Sequence, residues 1–194
     1  MQPSTIAFSL PSWIEEFTRE IDYIKDIEER TRFVIEASRR NVLEKTGGPF
    51  AAAIFELESG KLVSLGVNLV TNQGLSILHG EIVAISVAQA KLSTYDLGNQ
   101  NLVQHELVTS TEPCAMCLGA IPWSGVTRVI TSATDYDARQ IGFDEGAKIA
   151  DWTGALQDRG IEVLTEINRD RAQEVLDLYA QSSGEIYNSR GKSD

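Results

Sequence analysis

The sequence predicts one three-layer α/β/α sandwich, and three observations point to it. At 194 residues the chain is long enough for a substantial core yet short for two domains. Hydrophobic residues make up 42% and charged residues 23%, an ordinary globular balance. Helical and strand-like apolar patterns then alternate along the chain, which implies a sheet at least partly parallel and covered on both faces.

Residues 1–18 read as an irregular N-terminal arm, residues 19–183 as the folded domain and residues 184–194 as a C-terminal tail. From Arg19 to Lys45 apolar residues recur at Ile21, Ile24, Ile27, Val34, Ile35, Ala37, Val42 and Leu43, which predicts helix in one or two pieces. Gly47-Gly48-Pro49 ends it. Phe50 to Glu58 and Leu62 to Asn68 read as strands joined by a hairpin turn at Ser59-Gly60. Residues 79–92 are apolar nearly all round, so this helix should be buried. A strand from Glu106 to Ser110, a short helix opening at Pro113 and a strand from Arg128 to Ala133 follow. Residues 154–159 read as helix, Ile161 to Glu166 as strand and Asp170 to Gln181 as a last helix.

The formal net charge of −11 repels phosphate backbones, and no basic run offsets it. A nucleic-acid polymer is therefore a poor partner, whereas a small neutral substrate is allowed. The first residues lack the cationic start and apolar core of a secretory signal, and no apolar run could span a bilayer. The expected location is cytoplasmic. The two cysteines sit three positions apart, which suits a metal or redox pair better than a disulfide framework.

The chemistry concentrates in His79-Gly80-Glu81 and Pro113-Cys114-Ala115-Met116-Cys117. One imidazole and two thiolates suit Zn2+, and three protein ligands leave a fourth tetrahedral position for water. Cys114 and Cys117 share one side of a helical turn, whose N-terminus favours ionised thiols. Glu81 opens an otherwise apolar helix, where an unpartnered carboxylate is expensive, so a proton-carrying task explains it better than packing. A lone CxxC could instead be a redox pair, but His79 and Glu81 have no place in that chemistry. A structural zinc site needs a fourth ligand, and His105 lies in a polar stretch expected to be exposed. The H-x-E plus P-C-x-x-C pattern is an established zinc deaminase signature.

With these motifs the chain resembles the cytidine deaminase superfamily over most of residues 30–187, and within it the guanine deaminases of bacterial and plant type. The resemblance rests on Gly47-Gly48-Pro49-Phe50-Ala51, Asn68, His79-Gly80-Glu81, residues 110–120, Ile141-Gly142-Phe143-Asp144-Glu145 and Ile186-Tyr187-Asn188. Gly80 departs from the usual Ala and is expected to matter little. The resemblance implies a mixed five-stranded sheet and hydrolytic conversion of guanine to xanthine and ammonia. Glu81 would carry a proton to a ring nitrogen and Glu145 one to the leaving amine. Phe50, Asn68, His79, Phe143, Asp144 and Tyr187 would contact the substrate. It also implies a homodimer in which exchanged tails close the two sites. Each residue has a plainer reading: Glu145 as a loop acid, Asn68 as a turn residue, Phe50 and Phe143 as core aromatics, Tyr187 as part of a frayed tail. The metal motifs alone do not separate guanine from guanosine, cytosine, cytidine or ammeline. A tRNA adenosine deaminase would need a basic surface that the net charge argues against. A catalytically silent zinc module would have no use for Glu81.

Overall fold

A computed structural model describes residues 2–188, and among them the expected α/β architecture is present. Five strands form one mixed sheet in the order β2-β1-β3-β4-β5: β1 (Ala51–Glu56), β2 (Leu62–Val67), β3 (His105–Thr111), β4 (Arg128–Ala133) and β5 (Glu162–Leu164). β1 pairs antiparallel with β2 and β3, while β3–β4 and β4–β5 are parallel. Alternation along β1 splits the core into two layers. Ala51, Ala53 and Phe55 pack with Val34 and Ala37 of α2 (Ile27–Leu43). Ala52 and Ile54 join Ala84, Ile85 and Ala88 of α4 (Gly80–Leu92), Ile121 of α5 (Ala115–Ser124) and Leu156 of α7 (Trp152–Gln157). The last helix, α8 (Arg169–Gln181), lies beside α2 and buries Ala172, Val175 and Leu176. No helix among the described residues is long and apolar enough to cross a membrane.

Several boundaries differ from the sequence reading for identifiable reasons. Residues 19–26 are not helical; α2 begins at Ile27 because the Asp26 side chain accepts from the Glu29 amide and caps it. The arm is only partly irregular, since α1 (Trp13–Thr18) inserts Trp13 and Ile14 into the core. Two short helices have no counterpart in the sequence reading, α3 (Val70–Gln73) and α6 (Asp135–Gln140). Pro113 stands outside α5, whose N-cap is Cys114, and Pro122 lies within its last turns. His105 is buried, not exposed: its Nδ1 lies 2.8 Å from the Leu97 carbonyl oxygen. It begins β3, six residues and roughly 20 Å of strand from the far end. Beside it, buried Glu106 is held by both Arg30 and Arg128, with Arg128 Nε donating at 2.6 Å.

The pair β2–α4 sets the position of everything near His79. Gly66 lies so close to α4 that a Cβ would sit 2.3 Å from the Ala84 nitrogen and 2.4 Å from the Gly80 oxygen. Gly80 in turn approaches β1, where a Cβ would meet Ala51 backbone at 3.1–3.2 Å. The expected harmlessness of an Ala there therefore holds only if α4 shifts slightly outward.

Asp137 ties α6 to α8. It accepts from the Thr134 amide at 2.8 Å, from Arg169 at 2.9 and 3.0 Å and from Gln173 at 2.7 Å. Burial opposes ionisation, but Arg169 and Thr134 outweigh it and hold the carboxyl at about 2. Because the folded value lies below the ordinary carboxylate range, the stabilisation is complete above pH about 4 and is lost as pH falls through about 2. Asp137→Asn should cost about 2 kcal/mol at neutral pH, a difference that shrinks on acidification, as urea unfolding at several pH values will read. A pH-independent difference would refute the ion-pair account.

Candidate active site

Two helix N-termini meet at the carboxyl ends of the parallel strands, where open α/β sheets place their ligand crevices. His79 is the N-cap of α4 and Cys114 the N-cap of α5, so neither side chain is spent on its own helix. Thirty-five positions apart in sequence, His79 Nδ1 and Cys114 Sγ stand 3.5 Å apart. Cys117 joins them from the first turn of α5, and one donor atom of each residue lies within 4.8 Å of the others. Among the described residues this is the one group of three or more His, Cys, Asp or Glu side chains so placed. Tetrahedral zinc with bonds of about 2.0–2.3 Å needs donors separated by about 3.5–3.8 Å, and the 3.5 Å contact meets that requirement. Both cysteines are free and buried.

The electrostatics are unusual for a buried region. The Cys114 thiol is drawn down to about 4, chiefly by the hydrogen bond from Cys117, with His79 assisting against burial. Cys117 is pushed up by the same neighbour and by burial. Burial would lower His79, but Cys114 and the nearby carboxylates prevail and raise it. Glu81 is pushed up to about 7, first by burial and then by the Cys114 charge. Glu145 reaches about 8 for the same two reasons, with Glu81 adding to them. Four acidic groups thus compete for protons around a point with no permanent cation of its own, which is the environment a divalent ion satisfies.

Beside this point lies a cavity of about 150 Å³. Its wall includes Phe50, His79, Glu81, Cys114, Phe143, Asp144, Glu145 and Tyr187, so most of the predicted residues converge. Phe50 and Phe143 meet edge to face with centroids 4.9 Å apart, and Tyr187 tilts over Phe143 at 5.0 Å. Glu145 is buried; Asp144 beside it is exposed and accepts from the Gly146 amide at 2.9 Å. Asn68 is the exception. It is fully buried yet absent from the wall, because its Nδ2 donates to the Tyr187 hydroxyl at 2.7 Å while its Oδ1 accepts from the Val70 amide. Tyr187 belongs to the same chain, so within one chain the tail already covers its own pocket. The tail residues 189–194 lie outside the described residues.

Sequence reasoning singled out neither Glu112 nor Asn188. Glu112 lines the cavity and accepts from Lys148 Nζ at 2.7 Å, with Lys148 lying over the Trp152 ring at 4.7 Å. An acid directly before Pro113-Cys114 was the available signal. Ser110, also on the wall, accepts from the Ala51 amide and fixes β1 to β3.

Comparison with known proteins agrees with this geometry. The family described as "Cytidine and deoxycytidylate deaminase zinc-binding region" matches residues 24–133, a span that contains all three candidate ligands and Glu81. The chain belongs to this deaminase family. Within the family, the chain is similar to a solved guanine deaminase from Nitrosomonas europaea, at 41% identity and a TM-score of 0.89, covering 93% of this chain and 99% of that one. A second similar structure, solved in complex with 2,6-diaminopurine, shares 44% identity with a TM-score of 0.88, covering 95% and 97%. A curated relative, guanine deaminase of Bacillus subtilis, is 39% identical over 99 residues, or 51% of this chain and 59% of that protein. The match thus spans less than two thirds of the curated relative's length.

Cys114→Ser should strip zinc from a deaminase site built this way and lower the melting temperature, because a metal held by His79, Cys114 and Cys117 would tie α4 to α5. Metal analysis of the purified variant decides it. Full zinc occupancy with an unchanged melting temperature would contradict the ligand set.

Proposed function

We propose that the chain is a zinc-dependent guanine deaminase, converting guanine and water to xanthine and ammonia. The observation that carries the reading is the convergence of His79, Cys114 and Cys117 with two buried carboxylates, Glu81 and Glu145, on one small aromatic-walled cavity. The likeness to guanine deaminases across nearly the whole chain supports the choice of base. His79 Nδ1 and the Sγ atoms of Cys114 and Cys117 would hold the zinc. When bound, it supplies Lewis acidity that brings the ionisation of water close to neutral pH.

The protein side chains do the rest. Glu81, two residues after His79 and buried against the thiols, takes a proton from the attacking water and delivers it to a ring nitrogen of the base. Its elevated pKa near 7 suits a group that must both accept and release a proton. After water has added at C2, Glu145 on the same cavity wall gives its proton to the amine; the C–N bond breaks, ammonia leaves, and the C2 hydroxyl returns its proton to the carboxylate as it becomes the xanthine carbonyl. Phe50 and Phe143, packed edge to face on each other, form one apolar wall against which the flat ring lies. Asn68 acts through Tyr187: because the tyrosine oxygen accepts from Asn68, its own O–H is left to donate toward the purine edge. His79 and Tyr187, with ring centroids 6.3 Å apart, close the remaining side and exclude bulk water.

The cavity volume matches that of an engineered cavity of about 150 Å³ that holds a single benzene ring, so a free base fits better than a nucleoside. The net charge of −11 likewise disfavours a tRNA substrate. We also infer a cytoplasmic enzyme, since the ligand thiols must stay reduced. A homodimer with exchanged tails would place the same Tyr187 in the neighbouring copy's pocket.

Glu81→Gln should retain zinc and stability but lose at least three orders of magnitude in turnover, measured as ammonia released from guanine. Substantial residual activity would reject Glu81 as proton carrier. The same assay on guanosine, cytosine, cytidine and ammeline tests the substrate, and faster release from any of these would replace guanine in the proposal.

A further inference from the structure

The 142–146 turn, which carries Glu145, is anchored from several sides. Its own helix holds one end: the Gly142 amide donates to the Arg139 oxygen and Phe143 to the Ala138 oxygen. The start of α5 holds the other, with the Ala115 amide donating to the Glu145 oxygen at 3.0 Å. The turn needs two left-handed glycines, Gly142 at φ 104° and Gly146 at φ 72°, so its backbone has more freedom than the neighbouring helices. Between those two anchors, Gly142 and Asp144 are pinned by one side chain from 44 residues farther along. Asn188 Nδ2 donates to the Gly142 oxygen at 2.8 Å, and its Oδ1 accepts from the Asp144 amide at 2.9 Å.

Asn188 directly follows Tyr187, whose hydroxyl is bonded to Asn68 at the end of β2. Ile186, just before it, packs into the cluster with Phe143 and Tyr179, and Tyr179 donates to the Glu185 oxygen at 2.7 Å. The short strap 185–188 therefore bridges both lips of the pocket, Asn68 on one side and the Glu145 turn on the other. We infer that Asn188 is a positioning residue that sets Glu145 for proton transfer by fixing the 142–144 backbone. The inference rests on the proposed role of Glu145.

The asparagine amide is suited to this task because it offers a donor and an acceptor at once, matched to the carbonyl and the amide of a turn. Alanine removes both bonds from a half-buried surface position, so the domain should fold unchanged. A carboxyl group left free in its turn samples positions displaced by an ångström or so, enough to slow a proton transfer severalfold to a hundredfold.

The test combines a double-mutant cycle with amide exchange. Asn188→Ala should lower kcat for guanine about tenfold, leave KM within about twofold and leave zinc content unchanged. In a Glu145→Gln background the same substitution should cost nothing further, because Asn188 acts through that carboxyl. Hydrogen–deuterium exchange followed by mass spectrometry should show faster exchange in the segment containing Asp144. An equal loss in both backgrounds, or unchanged exchange at 142–146, would overturn the inference. The exchange measurement needs no substrate, so inertness of the wild-type protein toward guanine would count against the proposed function alone.

Discussion

The site depends on α4 lying almost directly on β2 and β1. Gly66 lets the helix backbone approach where any side chain would collide, and that depth brings the N-cap His79 within 3.5 Å of Cys114. Helix and strand propensities alone would leave the imidazole and the thiols on separate elements at an arbitrary spacing. A close-packed interface turns that spacing into a fixed distance, and cores of this density transmit displacement rather than absorb it. The same constraint places Glu81, in the first turn of the helix, against both cysteines. A single glycine contact thus governs the donor set and the proton carrier together.

Charge is the second organising principle. Burying Glu81 and Glu145 near two thiols raises the carboxyl pKa values, and among the described residues neither carboxyl has a salt-bridge partner; Lys148, paired with Glu112, lowers Glu145 by less than burial and the thiol charge raise it. Elsewhere the fold does pair its buried acids. Glu106 has two arginines at the opposite end of β3, and Asp137 has Arg169. The contrast separates structural from functional carboxylates more clearly than burial does, because an acid left unpaired at such cost is kept for proton chemistry or for a cation.

Much of this was legible in the sequence because it is local. The apolar run after His79 marks a buried helix, and the run Arg128 to Ala133 marks β4 to the residue. His79, Glu81, Cys114 and Cys117 declare themselves by spacing. The less legible features depend on contacts distant in the chain. His105 looks exposed among Gln104 and Glu106, yet the Leu97 carbonyl and the arginines around Glu106 bury that strand end. α6 has little apolar periodicity and exists through its Thr134–Asp137 capping box. Nothing near Asn68 or Tyr187 announces that they bond across 119 positions, or that Asn188 would reach the Glu145 turn. Polar residues in a terminal segment look like solvent-facing tail until the partner groups are placed in space.

Zinc K-edge absorption spectroscopy of the purified, metal-loaded protein is the most direct measurement of the central claim. The account predicts a four-coordinate first shell of two sulfurs at about 2.3 Å and two light atoms at about 2.0 Å, one from His79 and one exchangeable with solvent. A shell with a fourth protein ligand, or with no imidazole signature, would contradict it.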